Sequence, residues 1–308
     1  MAEADPTTEL DVPPRRKQPF DRKEVLFALI FVFPFVVVYG VLFVYPTLQM
    51  LLLSFQKAPL IGAGTWIGID NYIKLFNDRL FSVAFWNTVY FVALTVVPST
   101  LLGLFIAMGV SRLNGWAQSI VLACFFIPYI LPVSVVYRIW MWMLDSQFGV
   151  MQPLIALVAG KNVPVFRTLP LFMPSVAFIT VWWTIGFNIL LFIAGLRNIS
   201  PEIYEAAALD SASAWRRFTR ITWPLIWPIT VLVLTIQLIL QFKIFDQVYL
   251  FGQGGRTDAT MGLVQLIYRN AFQKNMGGYA ASVAVVLFAI IIIFSVLQFQ
   301  MLRARGEK

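Results

Sequence analysis

The sequence predicts an all-α polytopic membrane protein with six transmembrane helices, and three observations carry that expectation. Of its 308 residues, 59% are hydrophobic and only 12% charged, against roughly 25% charged in soluble domains. Its 23 basic and 15 acidic residues are too few to clothe a soluble core of this size. Six stretches, 25–56, 80–111, 113–137, 168–196, 221–242 and 275–302, contain no Asp, Glu, Lys or Arg, and each reaches the roughly 20 residues needed to cross the hydrocarbon. The basic residues, finally, gather at the ends of these stretches, as membrane segments require.

Taken in order, residues 1–24 hold Pro6, Pro13, Pro14 and Pro19 among charges and read as a disordered tail. Its cluster Arg15, Arg16, Lys17, Arg22 and Lys23 favours the cytoplasm. The first span, 25–46, is too long and too uniformly apolar for a cleaved signal peptide. Spans at 84–110, 119–143, 171–195, 225–243 and 280–302 follow, with 304–308 as a short tail. Residues 25–303 thus form one six-helix domain with a polar loop at 197–224. The run 146–160 contains Gly149, Pro153 and Gly160 and reads as a partly helical external segment. Six spans put both termini inside, and the inner segments then carry 13 Lys and Arg against 8 outside, the bias the positive-inside rule expects. Pro34, Pro98, Pro128 and Pro132 fall within spans. They mark kinks that neighbouring helices can accommodate, and packing alone is the simpler account of each.

Composition also narrows function. With no histidine and the single cysteine Cys124, His-based triads, zinc catalysis and a disulfide framework are excluded. A membrane enzyme would be left with serine or lipid-transfer chemistry. The net charge of +8 does not point to nucleic acid, because the cations bracket apolar runs. Asp246 with Lys243 or Arg138 could form an intramembrane ion pair. A proton relay would need further carboxylates, and Glu24 and Asp145 lie at span edges, which leaves an ion-coupled secondary transporter as the weaker alternative.

The polar loop is the most informative segment. Ser200 suits an N-cap, Pro201 the first helical position and Glu202 the positive end of the dipole, so a short helix starts there and runs through Tyr204 to Leu209. Asp210, Ser211 and Ser213 break and recap the chain. A second amphipathic piece follows, with Trp215, Phe218 and Ile221 toward one side. The small side chains Ala206, Ala207 and Ala208 suit a knob entering a partner's groove. A helix lying on lipid headgroups, with Arg216, Arg217 and Arg220 on phosphate, fits the composition equally well.

The residues Glu205-Ala206-Ala207, Asp210-Ser211-Ala212, Phe218, Ile221 and Pro224 resemble the EAA loop of ATP-binding cassette importer permeases. The departure is Ser211, where the family most often has Gly. Gly accepts a positive φ at little cost; with Ser, Asp210 and Ser213 are left to turn the chain. The resemblance to binding-protein-dependent sugar permeases extends through Tyr45-Pro46, Ile67-Gly68-Ile69-Asp70-Asn71-Tyr72, Asn87-Thr88, Phe125-Phe126-Ile127-Pro128 and Phe245-Asp246-Gln247-Val248-Tyr249. Gly254-Gly255 follows, with Arg256 where the family usually has Pro. Within that group the chain is similar to the maltose-permease-F-like and glycerol-phosphate-permease-A-like members.

The resemblance implies a multi-pass permease of the bacterial plasma (inner) membrane. Its loop would be a coupling helix docking on an ATPase through Tyr204, Glu205, Ala206, Ala207, Ala208, Asp210, Ser211 and Ala212. The implied partners are a second sugar permease, two cytoplasmic ATP-binding subunits and an extracytoplasmic solute-binding protein. ATP and Mg would sit on the ATPase subunits, since this chain has no G-x-x-x-x-G-K-[ST] loop of its own and no cofactor is expected on it. The cargo would be a di- or oligosaccharide, with a glycerol-phosphate ester as the alternative. Aligning the loop and the Gly-Gly turn with the maltose-type permease puts Trp182, Gly186, Asn188, Gln237 and Gln241 near the sugar. Hydrogen bonding between helices accounts for each amide equally well, and Trp183 is expected to serve packing.

Overall fold

The computed structural model describes residues 22–252 and 258–306. The expectations for residues 1–21, for the Gly254-Gly255-Arg256 turn and for the last two residues lie outside the described residues. The chain divides into two units at Gln49 and Met50.

In the first unit, α1 (Arg22–Tyr39) passes into a π-turn, Gly40–Val44, and then into α2 (Tyr45–Leu53), whose last four residues belong to the second unit. The candidate span Leu29–Leu53 has none of its apolar window buried, so lipid is the solvent these side chains require. Phe35, Tyr39 and Phe43 stack at helical spacing, with ring centroids 5.8 and 5.4 Å apart. Helix α1 begins at Arg22, so residues 22–24, expected in the disordered tail, are helical.

The second unit opens on a small antiparallel hairpin, β1 (Gln56–Lys57) with β2 (Thr65–Trp66). The helices follow: α3 (Asp70–Asn77), α4 (Arg79–Val110), α5 (Gly115–Ile130), α6 (Val133–Met143), α7 (Gln152–Ala159), α8 (Leu169–Arg197) and α9 (Pro201–Leu209). Then come α10 (Ala214–Arg217), α11 (Trp223–Phe242), α12 (Asp246–Phe251), α13 (Leu263–Tyr268) and α14 (Gly277–Gly306). Among the described residues five helices are long and apolar enough to cross a membrane, or six if α5 and α6 count as one broken span.

That break corrects the expected span 119–143: α5 and α6 meet at 101°. Pro132 lacks an N–H, and its ring would strike the carbonyl four residues back, which is that of Pro128. It also drives Leu131 out of the helical region, to φ −69° and ψ 136°. The indole of Trp183 donates to the freed Leu131 carbonyl at 3.1 Å, which gives the packing role expected of Trp183 a specific content.

Two other prolines are absorbed differently. The π-turn Gly40–Val44 directly precedes Tyr45-Pro46, and a second, Phe218–Thr222, joins α10 to α11 directly before Trp223-Pro224. In each, the residue before the proline donates to a carbonyl five back, Tyr45 to Gly40 and Trp223 to Phe218. The widened turn draws the carbonyl away from the proline ring without a sharp break.

Helices α4, α8 and α11 form the centre. On α4, Ser99, Gly103 and Ala107 recur every fourth residue and are all buried, the small-residue spacing that lets two backbones approach. A Cβ on Gly103 would lie 3.0 Å from that of Asn188 on α8. Several helices outrun their expected bounds. Helix α4 starts five residues before 84, where Asp78 accepts from the Leu80 amide at 2.8 Å. Helix α14 continues through Gly306, into the expected tail. The 146–160 run is helical over α7 and ends on Gly160 at φ +71°. Among the described residues the one ion pair joins Arg269 to Asp258. Asp246 therefore pairs with neither Lys243 nor Arg138; Arg138 lies over the Tyr137 ring instead.

Candidate functional site

Helix α9 begins where expected, with Pro201 at its first position and Glu202 in its first turn, although Ser200 makes no side-chain cap bond. Its other end is a complete Schellman motif. The Ser211 amide donates to Ala208 and the Ala212 amide to Ala207, both at 3.0 Å, and Ser211 takes φ +54°. That is the left-handed position usually given to glycine, so Ser211 itself supplies the turn that was expected to fall to Asp210 and Ser213. Ser213 then caps α10, accepting from the Arg216 amide at 3.3 Å.

The loop residues divide by burial. Ala207 is buried against the rest of the chain and Ala212 half-buried, whereas Glu205, Ala206, Ala208, Asp210 and Ser211 are exposed. Tyr204 is half-buried, with its hydroxyl 3.0 Å from that of Thr222, which pins α9 to the π-turn leading into α11. Leu209, absent from the expected docking set, is 88% exposed. Its spacing from Glu202 and Glu205 places all three on one face, so helical periodicity was the signal that could have found it. A bulky residue at position 206, 208 or 209 would project from the surface; one at 207 would meet this chain.

Behind α9 lies a groove of about 760 Å³, walled by the ends of α4 and α8, the start of α5, α9, α10 and the π-turn Phe218–Thr222. Arg112, Arg197 and Arg217 line it. Arg197 donates to the Gln118 side chain at 3.1 Å, and Gln118 donates to the Val110 carbonyl at 3.2 Å, so the ends of three helices are clasped together.

The residues expected along a substrate path are placed less openly. Gln241 donates to Gln237 at 3.1 Å, Gln237 to the Asn188 side-chain oxygen at 2.6 Å, and Asn188 to the Ser99 carbonyl at 3.3 Å. All three amides are buried, forming a polar ladder across α11, α8 and α4. Gly186 is a close-approach point: a Cβ there would lie 2.2 Å from the Phe125 carbonyl oxygen on α5. Only Trp182 is exposed, at 36%, its ring edge-to-face with Trp140 at 5.3 Å.

At the other end of the bundle the remaining motifs act as fasteners. Asn71 is buried and donates to the Ser54 and Gln56 carbonyls at 2.8 and 2.9 Å, while Tyr72 and Ser54 share a hydroxyl pair at 2.7 Å. Asn87 holds the Ala259 and Met261 carbonyls at 2.8 and 3.0 Å, and Thr88 accepts from the Leu263 amide at 3.0 Å. Tyr279 donates to Asp78 at 2.6 Å, tying α14 to the cap of α4.

Comparison with known proteins gives a consistent answer. Residues 99–305 match the family described as binding-protein-dependent transport system inner membrane component. The chain is 31% identical over 299 residues to the inner membrane ABC transporter permease protein YcjO of Escherichia coli strain K12, covering 93% of this chain and 98% of that protein. It is 28% identical to the sulfoquinovosyl glycerol transport system permease protein SmoG of Agrobacterium fabrum, over 95% of each chain. Its fold matches a chain of the bacterial alginate ABC transporter crystallised with an alginate pentasaccharide-bound periplasmic protein, at TM-score 0.81 and 20% identity over 92% of this chain and 95% of that one.

Proposed function

The chain belongs to the family of inner membrane components of binding-protein-dependent transport systems, and on that premise we propose that it forms half of the pathway of an ATP-driven sugar importer. It is a transport subunit of the membrane. The other half would be a second permease, the energy would come from two cytoplasmic ATPase subunits, and a solute-binding protein would deliver a di- or oligosaccharide or a related glycoside. SmoG's named role in sulfoquinovosyl glycerol transport supports the glycoside class. In this arrangement both termini and the 197–224 loop face the cytoplasm. Each transport step then needs two states of the permease that the ATPases bias through differential contacts.

One observation carries the reading: α9, closed at its end by the Schellman motif, presents Glu205, Ala206, Ala208 and Leu209 at the surface while Ala207 and Tyr204 anchor it to the bundle. That is the form of a lever with an outer docking face and an inner grip. For the sugar path, Trp182 offers a partly exposed indole of the kind sugars pack on, with Gly186, Asn188, Gln237 and Gln241 setting the packing of the helices beside it.

The test is reconstitution with the partner subunits in liposomes. Sugar uptake should require ATP and the binding protein, and Glu205→Lys should lower uptake while leaving membrane insertion intact. Uptake driven by a proton gradient without the ATPases would replace the importer with a secondary transporter.

A further inference from the structure

The groove behind α9 has a chemistry that the transport cycle does not use. Arg112 follows the end of α4, Arg197 ends α8 and Arg217 ends α10, so three arginines from separate helix ends line one space of about 760 Å³. Glu205 is the single carboxylate on its wall, and none of the three arginines forms an ion pair among the described residues. Such a concentration of unpaired like charge is unfavourable unless an anion offsets it. The rest of the lining is largely apolar, with Met108, Leu196, Ile199 and Phe218 among it. A cationic rim on an apolar wall suits an amphiphile with an anionic head.

Depth selects among amphiphiles. Helices α4 and α8 have 32 and 29 residues, about 48 and 43 Å at the α-helical rise. The hydrocarbon is about 30 Å thick, and about 40–45 Å including headgroups, so helices that cross it end among the headgroups. The side chains of Trp116, 78% exposed at the start of α5, and Trp215, 73% exposed on α10, sit at the same end. Tryptophan is the residue of the bilayer interface.

We propose that this groove holds the headgroup of an anionic phospholipid, with Arg112, Arg197 and Arg217 on its phosphate and the apolar wall against its glycerol and first methylenes. The lipid would wedge between α9 and the ends of α4 and α8, and the proposal does not depend on which solute is carried.

Native mass spectrometry of the chain assembled with its partner subunits tests this, titrating phosphatidylglycerol against phosphatidylcholine. The intact assembly should retain one phosphatidylglycerol in preference to phosphatidylcholine. Arg112→Gln with Arg217→Gln should weaken that retention about twenty-fivefold, each arginine contributing about fivefold, and the corresponding lysine pair should keep most of it. The single Gln variants, each down about fivefold, carry the same test if the double variant does not assemble. Equal retention of phosphatidylglycerol by wild type and Gln variants would overturn the proposal, as would equal retention of the two lipids by wild type. Displacement of the lipid by inorganic phosphate alone would assign the groove to a soluble anion. Retention only after the ATPase subunits are removed would assign it to a protein partner.

Discussion

At Ser211 the chain holds a residue with a Cβ in the left-handed region, φ +54°, where an L side chain costs roughly 1–2 kcal/mol relative to its usual conformations. Glycine would not carry that cost, so Ser211→Gly should steady the end of α9. Its readout is exchange of the Ala212 amide, which donates to Ala207 and should exchange about fivefold more slowly, while Ser211→Val should speed it. The turn was legible in the sequence because Asp210 and Ser213 flank it. Its geometry was not, because propensity argues against a positive φ at serine, and the two Schellman hydrogen bonds, from the Ser211 and Ala212 amides to Ala208 and Ala207, overrule it. The amide ladder makes a second prediction at this scale. Gln237→Leu leaves the Asn188 oxygen and a Gln241 donor buried without their ladder partners, at about 1–2 kcal/mol for each. Replacing Asn188, Gln237 and Gln241 together by Leu removes both sides of those bonds and should cost less than the single change. Thermal unfolding in detergent reads the order of stabilities, and uptake by the triple variant separates roles. A stable triple variant that transports normally marks the ladder as packing; one that is stable and inactive marks it as part of the sugar path.

Among elements, the helices were readable wherever charge and hydrophobicity change abruptly, and misread where one residue's backbone decides. Charge-free length located α4, α8, α11 and α14 but could not show that α5 and α6 meet at 101°. Pro132 is one proline among several in the spans. Whether such a residue kinks, widens or breaks a helix depends on what can satisfy the freed carbonyl, and here that is Trp183, 52 residues further along the chain. The same applies to Gly186, which alignment placed near a sugar and packing places against the Phe125 carbonyl. No sequence period marks a glycine as a contact point between backbones that are far apart in the chain. Gly186→Ala should therefore push α5 from α8, costing about 1–3 kcal/mol as overpacking does. It should lower thermal stability with any solute or none. A Gly186→Ala protein with wild-type stability and altered sugar preference would restore the substrate-path reading.

For the whole molecule, a transporter of the proposed kind must pass a push at α9 to helices that cross the bilayer, and the connections for doing so are few. The α9 backbone is closed by its Schellman end, Ala207 is buried, and the Tyr204 hydroxyl bonds Thr222 at the turn into α11. Helix α8, on the other side, runs into α9 through only three residues, 198–200. A rigid knob held at both ends moves α8 and α11 together; a knob loosened on one side yields before they move. Tyr204→Phe removes only the hydroxyl and its bond to Thr222, so the docking face stays intact and ATP hydrolysis should persist, while solute carried per ATP falls severalfold. Leu209→Asp alters the docking face alone, so hydrolysis stimulated by the binding protein and uptake should fall together with their ratio kept. Ala207→Leu should act like a loosened grip, since its added bulk meets this chain. Measuring uptake and hydrolysis on the same proteoliposomes separates these cases. A Tyr204→Phe transporter with the wild-type ratio would place the transmission elsewhere, in the short α8–α9 link, where insertion of a flexible glycine pair should then reproduce the loss.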